Sequence, residues 1–295
     1  MAKAFKKGLS FLTTIFCLTH VIFAQDTIVK LWKDIPDEFS GKQKRPELRV
    51  FYPTSGNNTG AAVIICPGGS YHHLGLVNEG SEVASWFAEN GITAFVLRYR
   101  VGMFGNHHPA MIEDFQRAIQ ILRENADFYK IDSNRIGAIG FSAGGHLVTM
   151  AGVFAKNNFL KAKGISARTS LCPNFIIPIY PVVSMQDSIA HVRSRKNLLT
   201  KKYTKELQDR FSLEQQIPSD MPPVFMLACK DDPVVDYRNS TVLYNALMAK
   251  NIPTVFYLFE HGGHGFGMLR TKSNETKNWN LLLLGWMKEQ GFLTY

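Results

Sequence analysis

The chain has 295 residues, 45% of them hydrophobic, and a formal net charge of +9, which is typical of one α/β domain and excludes a disordered or fibrous class. Its lysines and arginines form no basic run interleaved with aromatic residues, which argues against nucleic acid as a partner. No C-x-x-C pair occurs among the four cysteines, so we expect no disulfide framework.

The chain opens on a basic and then apolar segment. Three lysines precede an apolar run from Leu9 to Phe23 that ends at Ala24. The run has about 15 residues, whereas about 20 are needed to span a bilayer, so the pattern predicts a secretory signal peptide over residues 1–24. We therefore expect a mature chain, residues 25–295, with a net charge of +6. It would be secreted or periplasmic, with no membrane insertion after cleavage.

Short apolar runs alternate with longer segments of helical periodicity along the mature chain. The predicted strands cover residues 47–52, 61–66, 92–98, 135–141, 174–180, 224–230 and 253–260. The predicted helices cover residues 79–90, 110–126, 143–155, 237–250 and 275–290. Several strands are apolar throughout, as is typical of parallel strands covered on both faces. The alternation predicts an α/β fold with a mostly parallel central sheet of about eight strands and helices on both faces.

Residues 187–223 break this alternation because they are polar and rich in lysine and arginine. They lie between Pro181 and the Pro222-Pro223 pair. We interpret them as a small insertion over the carboxyl ends of the strands, within a single domain that otherwise covers residues 25–295.

A nucleophile motif follows one of the apolar strands. Gly140-Phe141-Ser142-Ala143-Gly144 fits G-x-S-x-G, with a predicted strand before it and a predicted helix after it. In that setting the motif indicates a sharp turn that exposes the Ser142 hydroxyl at the edge of the sheet. A serine hydroxyl needs a base and an orienting acid to act as a nucleophile.

Both partners follow in the chain order Ser, Asp, His that this motif requires. His264 lies in a glycine-rich loop after the strand predicted at 253–260, and we predict that it is the base. Asp231 and Asp232 both follow the strand at 224–230. Either carboxylate could reach the histidine from this loop. The Asp232-Pro233-Val234-Val235 segment resembles the acid loop of hydrolases that carry this nucleophile motif, which favours Asp232 as the acid, with Asp231 as the alternative.

The loop after the strand at 61–66 is a candidate oxyanion site. Pro67-Gly68-Gly69-Ser70 stands where the glycine-rich oxyanion loop of esterases is expected, ahead of the nucleophile. We predict that the backbone amides of Gly69, Ser70 and Ala143 hold the developing oxyanion.

Other patterns are absent or have ordinary explanations. The sequence contains no H-E-x-x-H motif, no Cys/His cluster and no phosphate-binding G-x-x-x-x-G-K-[ST], so we expect neither a metal nor a cofactor. His146 lies one turn past Ser142, and we interpret it as packed rather than catalytic. The His72-His73 pair could contact substrate or lie at the surface.

Together these segments resemble secreted bacterial esterases of the α/β-hydrolase superfamily, a group often described as acetylxylan esterases or esterase/lipases. The resemblance covers nearly all of the mature chain. It rests on CPGGSY at 66–71, AFVLRYR at 94–100, IGAIGFSAGGH at 136–146, SRKNLL at 194–199, PPVF at 222–225, DDPVV at 231–235 and GHGF at 263–266. The chain departs from the group at Ser70, where relatives commonly carry a third glycine.

The resemblance implies a serine carboxylesterase that deacetylates acetylxylan-like plant polysaccharides or related short-acyl carbohydrate esters. Its partner would be a small-molecule or oligosaccharide ester. A feruloyl esterase or a small-peptide serine hydrolase would use the same three residues, so these stay open as alternatives. A non-catalytic binding protein of the same fold would usually lack one of them.

Overall fold

The computed structural model describes residues 27–32, 46–54, 57–268, 270 and 273–293, so the predicted signal peptide lies outside the described residues. One sheet of eight strands organises the described chain, in the order β1-β2-β4-β3-β5-β6-β7-β8. The strands are β1 (Thr27–Lys30), β2 (Glu47–Phe51), β3 (Ala62–Cys66), β4 (Thr93–Arg98), β5 (Ile136–Phe141), β6 (Ile176–Ile179), β7 (Val224–Cys229) and β8 (Thr254–Phe259). The strands from β4 to β8 across the sheet are parallel, and β2 is antiparallel to both of its neighbours.

The mostly parallel sheet of about eight strands is confirmed, with one addition. The seven predicted strands all form, and the four-residue β1 adds an edge that the sequence pattern did not predict. Such a short segment carries little periodicity, and it becomes a strand by pairing with β2, where Thr27 lies opposite Val50.

Eight α-helices lie in the described chain: α1 (Glu82–Glu89), α2 (Ala110–Glu124), α3 (Ala126–Tyr129), α4 (Ala143–Val153), α5 (Val192–Leu199), α6 (Lys205–Arg210), α7 (Arg238–Ala249) and α8 (Trp279–Glu289). The helix predicted from residue 79 starts later, because residues 77–81 form a wider π turn in which the Ser81 amide donates to the Leu76 carbonyl. The helix predicted from residue 275 likewise starts at Trp279.

Two apolar cores cover the two faces of the sheet. Helices α2, α4 and α7 pack into one core, and α1 and α8 pack into the other. Side chains alternate between the cores along β3, where Ile64 belongs to the first and Val63 and Ile65 belong to the second. This is why the central strands are apolar at every position rather than at every second one.

The segment 187–223, predicted as an insertion, contains the short helices α5 and α6. The Thr204 hydroxyl caps α6 by accepting a hydrogen bond from the Leu207 amide. Leu198, Phe211 and Leu213 are buried in the same core as α2 and α4. Although the segment is mostly polar, these three apolar side chains pack it against the rest of the domain.

In the part of the chain that the structure describes, no helix combines the length and the apolar character needed to cross a membrane.

Candidate active site

The chain turns sharply at Ser142, between the end of β5 and the start of α4. Ser142 has φ 54° and ψ −117°, a strained conformation for a residue with a side chain. Glycine is required two residues before Ser142 and two residues after it. A side-chain carbon on Gly140 would lie 2.1 Å from the Gly144 carbonyl oxygen, and one on Gly144 would lie 2.0 Å from the Cys66 carbonyl oxygen. The G-x-S-x-G spacing thus lets strand, helix and neighbouring strand approach closely around the serine.

Ser142, His264 and Asp232 form one hydrogen-bonded line. The Ser142 hydroxyl lies 2.9 Å from His264 Nε2, and His264 Nδ1 lies 2.6 Å from Asp232 Oδ2. Because the carboxylate accepts, Nδ1 carries the proton and Nε2 is left to accept from the serine hydroxyl. The Asp232 side chain is only 2% exposed. This is the arrangement that converts a serine hydroxyl into a nucleophile.

Asp232 is held in place by the loop that contains it. Its Oδ1 atom accepts hydrogen bonds from the amides of Val234 and Val235, at 2.8 and 2.9 Å. Its other oxygen is therefore aimed at His264. The Asp-x-x-Val spacing that favoured Asp232 in the sequence thus corresponds to a turn in which the aspartate accepts the amide of the third residue after it.

Asp231 has a different position and different partners. Its carboxylate accepts hydrogen bonds from the amides of Gly262 and Gly263, at 2.9 and 2.8 Å, and its side chain is 40% exposed. These bonds, chiefly the one from Gly263, lower the pKa of Asp231. Asp231 therefore fastens the start of the loop that carries His264, and it does not contact the imidazole of that histidine.

The loop at 67–70, which is predicted to hold the oxyanion and is called the oxyanion loop below, lies directly against Ser142. A side-chain carbon on Gly68 would lie 3.0 Å from the Ser142 Cβ atom. Gly69 has φ 127°, and a side chain there would strike the His73 carbonyl oxygen at 2.2 Å. The amides of Gly69 and Ser70 donate no hydrogen bond to any described residue. The Ala143 amide, at the first turn of α4, has no partner inside the helix. These are the three amides that the sequence predicted as donors.

Ser70 adopts a backbone conformation that favours glycine. Its φ is 59°, in the left-handed region, so the serine keeps the loop path that a third glycine would give. The carbonyl oxygen of Ser70 accepts a hydrogen bond of 2.9 Å from Asn197 Nδ2, on α5. The segment 187–223 thus contacts the oxyanion loop through Asn197. The composition of the segment did not predict this contact.

A buried histidine anchors the other side of this loop. His146 Nε2 donates to the Phe211 carbonyl oxygen at 3.0 Å, and Nδ1 accepts from the Tyr71 hydroxyl at 2.9 Å. Burial lowers the pKa of His146 to about 4, so the ring is neutral at neutral pH. His146 thus joins the oxyanion loop to the chain after α6 and has no contact with the reacting atoms.

Glu79 also lies beside the site, and the sequence analysis did not identify it. Glu79 is buried beside the oxyanion loop, where its carboxylate accepts hydrogen bonds from the Gly68 amide and the Tyr180 hydroxyl, both at 2.9 Å. Burial raises the pKa of Glu79. In the sequence it stands at the start of a predicted helix, where a glutamate is ordinary, and no pattern marks it.

No group of three or more histidine, cysteine or acidic side chains within the described ranges could hold a metal ion.

The chain is similar to proteins that are named as esterases and to one that is named as a xylanase. Residues 48–247 match the BD-FAE family. The chain is 35% identical over 208 residues to Endo-1,4-beta-xylanase B of Butyrivibrio fibrisolvens, covering 69% of this chain and 32% of that protein. It is 29% identical over 261 residues to an acetylxylan esterase of Xylanibacter ruminicola, covering 87% of this chain and 50% of that protein. The chain thus spans a third to a half of the length of these two relatives.

A solved structure matches over almost its full length. The acetyl ester-xyloside bifunctional hydrolase from Caldicellulosiruptor lactoaceticus superposes with a TM-score of 0.81 at 33% identity, covering 91% of this chain and 98% of that chain. The sheet order, the sharp turn at Ser142 and these similarities agree with one another. The chain belongs to the BD-FAE family and has the α/β-hydrolase fold of the esterases that it resembles.

Proposed function

We propose that this protein is a serine carboxylesterase that removes short acyl groups, chiefly acetyl, from acetylxylan-like plant polysaccharide fragments. The observation that carries the proposal is the continuous line from the Ser142 hydroxyl through His264 to Asp232, with distances of 2.9 and 2.6 Å. Such a line makes the serine a nucleophile towards an acyl carbon.

The reaction follows from the positions of the proton and the developing charge. His264 Nε2 takes the proton of Ser142 as the serine oxygen attacks the ester carbonyl, and Asp232 stabilises the resulting imidazolium. The amides of Gly69, Ser70 and Ala143 hold the negatively charged oxygen. The same histidine then protonates the leaving alcohol, and water releases the acid from the acyl-serine by the reverse sequence.

The choice of substrate rests on the relatives. One is named an acetylxylan esterase, and another, which has a known structure, is named an acetyl ester-xyloside hydrolase. The signal peptide predicted over residues 1–24 supports a secreted or periplasmic enzyme, which would meet polysaccharide fragments outside the cytoplasm. Neither a metal nor a cofactor is needed for this chemistry.

A test compares the wild-type chain with Ser142→Ala and with Ser219→Ala, which changes an exposed serine in a loop. The wild type and Ser219→Ala should release acetate from acetylated xylo-oligosaccharides and hydrolyse p-nitrophenyl acetate. Ser142→Ala should lose both activities by roughly 10⁴-fold or more while keeping the circular dichroism spectrum of the wild type.

Each other outcome has a definite meaning. Undiminished turnover by Ser142→Ala would overturn the mechanism. Release of ferulate or cleavage of a dipeptide, without release of acetate, would replace the substrate class by one of the two alternatives. A folded wild type that hydrolyses no ester and is not labelled by a fluorophosphonate would make the protein a binding protein.

A further inference from the structure

A buried carboxylate lies between the two loops that flank Ser142. The Glu79 side chain belongs to the π turn before α1, and the residue is 6% exposed. Its Oε2 atom accepts the Gly68 amide at 2.9 Å, one residue before the predicted oxyanion donors. Residue 68 must be glycine for the two groups to come this close, since a side-chain carbon there would lie 2.7 Å from Oε2. One oxygen of Glu79 thus fixes the position of the backbone at the start of the oxyanion loop.

The other oxygen of Glu79 reaches the histidine loop through Tyr180. The Tyr180 hydroxyl donates to Oε1 at 2.9 Å and accepts from the Gly267 amide at 3.0 Å. The Tyr180 ring centre lies 4.6 Å from that of His264. This phenol is therefore both a hydrogen-bonded link and a wall against which the imidazole packs.

The neighbouring residue makes a second contact of the same kind. Asn78 Nδ2 donates to the Gly265 carbonyl oxygen at 3.1 Å. The backbone at Asn78 also approaches Gly267 so closely that a side-chain carbon on that glycine would lie 2.1 Å from the Asn78 oxygen. The π turn thus contacts the histidine loop on both sides of Phe266.

The two hydrogen bonds that Glu79 accepts favour its ionised form. An amide N–H and a phenol O–H point at separate carboxylate oxygens, and an ionised carboxylate accepts at both. A neutral acid would carry a proton on one of these oxygens, facing a donor. Burial favours that neutral form, whereas the two hydrogen bonds and the nearby His264 favour the charge.

We propose that Glu79 is a positioning residue that holds the oxyanion loop and the His264 loop in a fixed relation, through Gly68 on one side and the Tyr180 hydroxyl on the other. The inference rests on the proposed esterase function for its kinetic consequence but not for its structural one. The hydrogen bonds of Glu79 go to Gly68 and Tyr180, and none of them goes to Ser142, His264 or Asp232. It sets where the Gly69 and Ser70 amides lie relative to the serine and its base.

Two substitutions separate the two halves of this link. Glu79→Gln keeps the size of the side chain but offers one acceptor oxygen and one amide donor, so either Gly68 or Tyr180 loses its acceptor. Tyr180→Phe keeps the ring against His264 and the bond from Gly68, and removes only the link to Gly267. We expect Glu79→Gln to disturb both loops, because its one amide group cannot move away from the mismatched partner without also moving relative to the other. We expect Tyr180→Phe to disturb chiefly the histidine loop.

The experiment measures kcat and KM for p-nitrophenyl acetate together with amide hydrogen exchange in segments 66–76 and 262–268. Since a displacement of about 1 Å in such a site costs on the order of 100-fold in rate, Glu79→Gln should lower kcat by about 10- to 100-fold with little change in KM. Exchange should become faster in both segments, although the substitution lies in neither of them.

A matched control changes another buried polar side chain that holds backbone groups. Gln116 donates to the Asn157 carbonyl oxygen at 2.7 Å and accepts from the Phe159 amide at 2.9 Å, beyond the end of α4 that is remote from Ser142. Gln116→Leu should lower the thermal midpoint and leave kcat and exchange in both segments unchanged. That result distinguishes positioning from general destabilisation.

An unchanged kcat in Glu79→Gln would overturn the inference. So would amide exchange that becomes faster in segment 66–76 but keeps its wild-type rate in segment 262–268. If Glu79→Gln does not fold, Tyr180→Phe decides in its place, and unchanged exchange at 262–268 refutes the link. If the wild type hydrolyses no ester, the proposed function fails, but the exchange measurement still tests whether Glu79 joins the loops.

Discussion

The choice between the two adjacent aspartates gives the sharpest prediction. In Asp232→Asn the side-chain Oδ1 atom should keep the two hydrogen bonds that it accepts in the wild type, from the backbone amides of Val234 and Val235. The NH₂ group then faces His264 Nδ1, where Asp232 Oδ2 now lies at 2.6 Å. Because two donors cannot face each other, Nδ1 must lose its proton, and the proton moves to Nε2. The histidine can then no longer accept the proton of Ser142.

The magnitude follows from this change of tautomer. Loss of the correct tautomer with the geometry intact costs about 10⁴-fold in kcat in a serine hydrolase triad, equivalent to about 5 kcal/mol of transition-state stabilisation. The Asp232 side chain is 2% exposed, so water offers little replacement for the lost charge. Steady-state hydrolysis of p-nitrophenyl acetate at neutral pH measures the effect.

Asp231→Asn is the matched control, since it makes the same chemical change one residue away. Its Oδ1 atom alone can accept the amides of Gly262 and Gly263, at 2.9 and 2.8 Å. An asparagine therefore preserves both bonds at an exposed site, and we expect a loss of less than about tenfold in kcat. An equal or larger loss in Asp231→Asn than in Asp232→Asn would refute the assignment of the acid.

Two further predictions concern the oxyanion loop and the buried histidine. Ser70→Gly should keep kcat within about threefold, as measured with the same ester, because the proposed donor is a backbone amide and a φ of 59° suits glycine. A loss of more than tenfold in Ser70→Gly would show that the serine side chain, and not only the amide, is needed. Burial holds the pKa of His146 at about 4 in the fold. Unfolded histidine titrates near 6.5, so the unfolded state binds more protons below that pH, and the free energy of unfolding should fall between about pH 6.5 and 4 by up to about 1.4 kcal/mol per pH unit. Urea denaturation at pH 7 and 5 measures this fall in the free energy of unfolding, and the fall should be smaller in His146→Gln. An equal fall in both proteins would contradict the lowered pKa of His146.

How much of the site was predictable differs from residue to residue. The contact between Ser142 and His264 was predictable because each residue follows an apolar strand, and because the carboxyl ends of parallel strands meet at one edge of a sheet. Asp231 and Asp232 follow the same strand, so the order of elements could not separate them. The direction of each carboxylate within the turn separates them in the structure, with Asp232 on His264 and Asp231 on the glycine amides.

Glu79, Asn197 and His146 were beyond prediction as parts of the site. Each acts through a partner that is distant in the chain. Glu79 and Tyr180 are 101 residues apart, and Ser70 and Asn197 are 127 residues apart. No local pattern records such a pairing, because a glutamate at a helix start or an asparagine on a short helix has an ordinary local explanation.

The class of fold and the chain order of the predicted reacting groups can both be read from the amino-acid sequence alone. Apolar runs that alternate with amphipathic helices can bury both faces of a sheet in few ways, and G-x-S-x-G at a strand end permits one sharp turn. The contact of Asp232 with His264, the conformation of Ser70 and the link from Glu79 through Tyr180 to the histidine loop are seen only in the folded chain. These depend on distances of 2.6 to 3.0 Å between segments that meet only when the sheet is assembled.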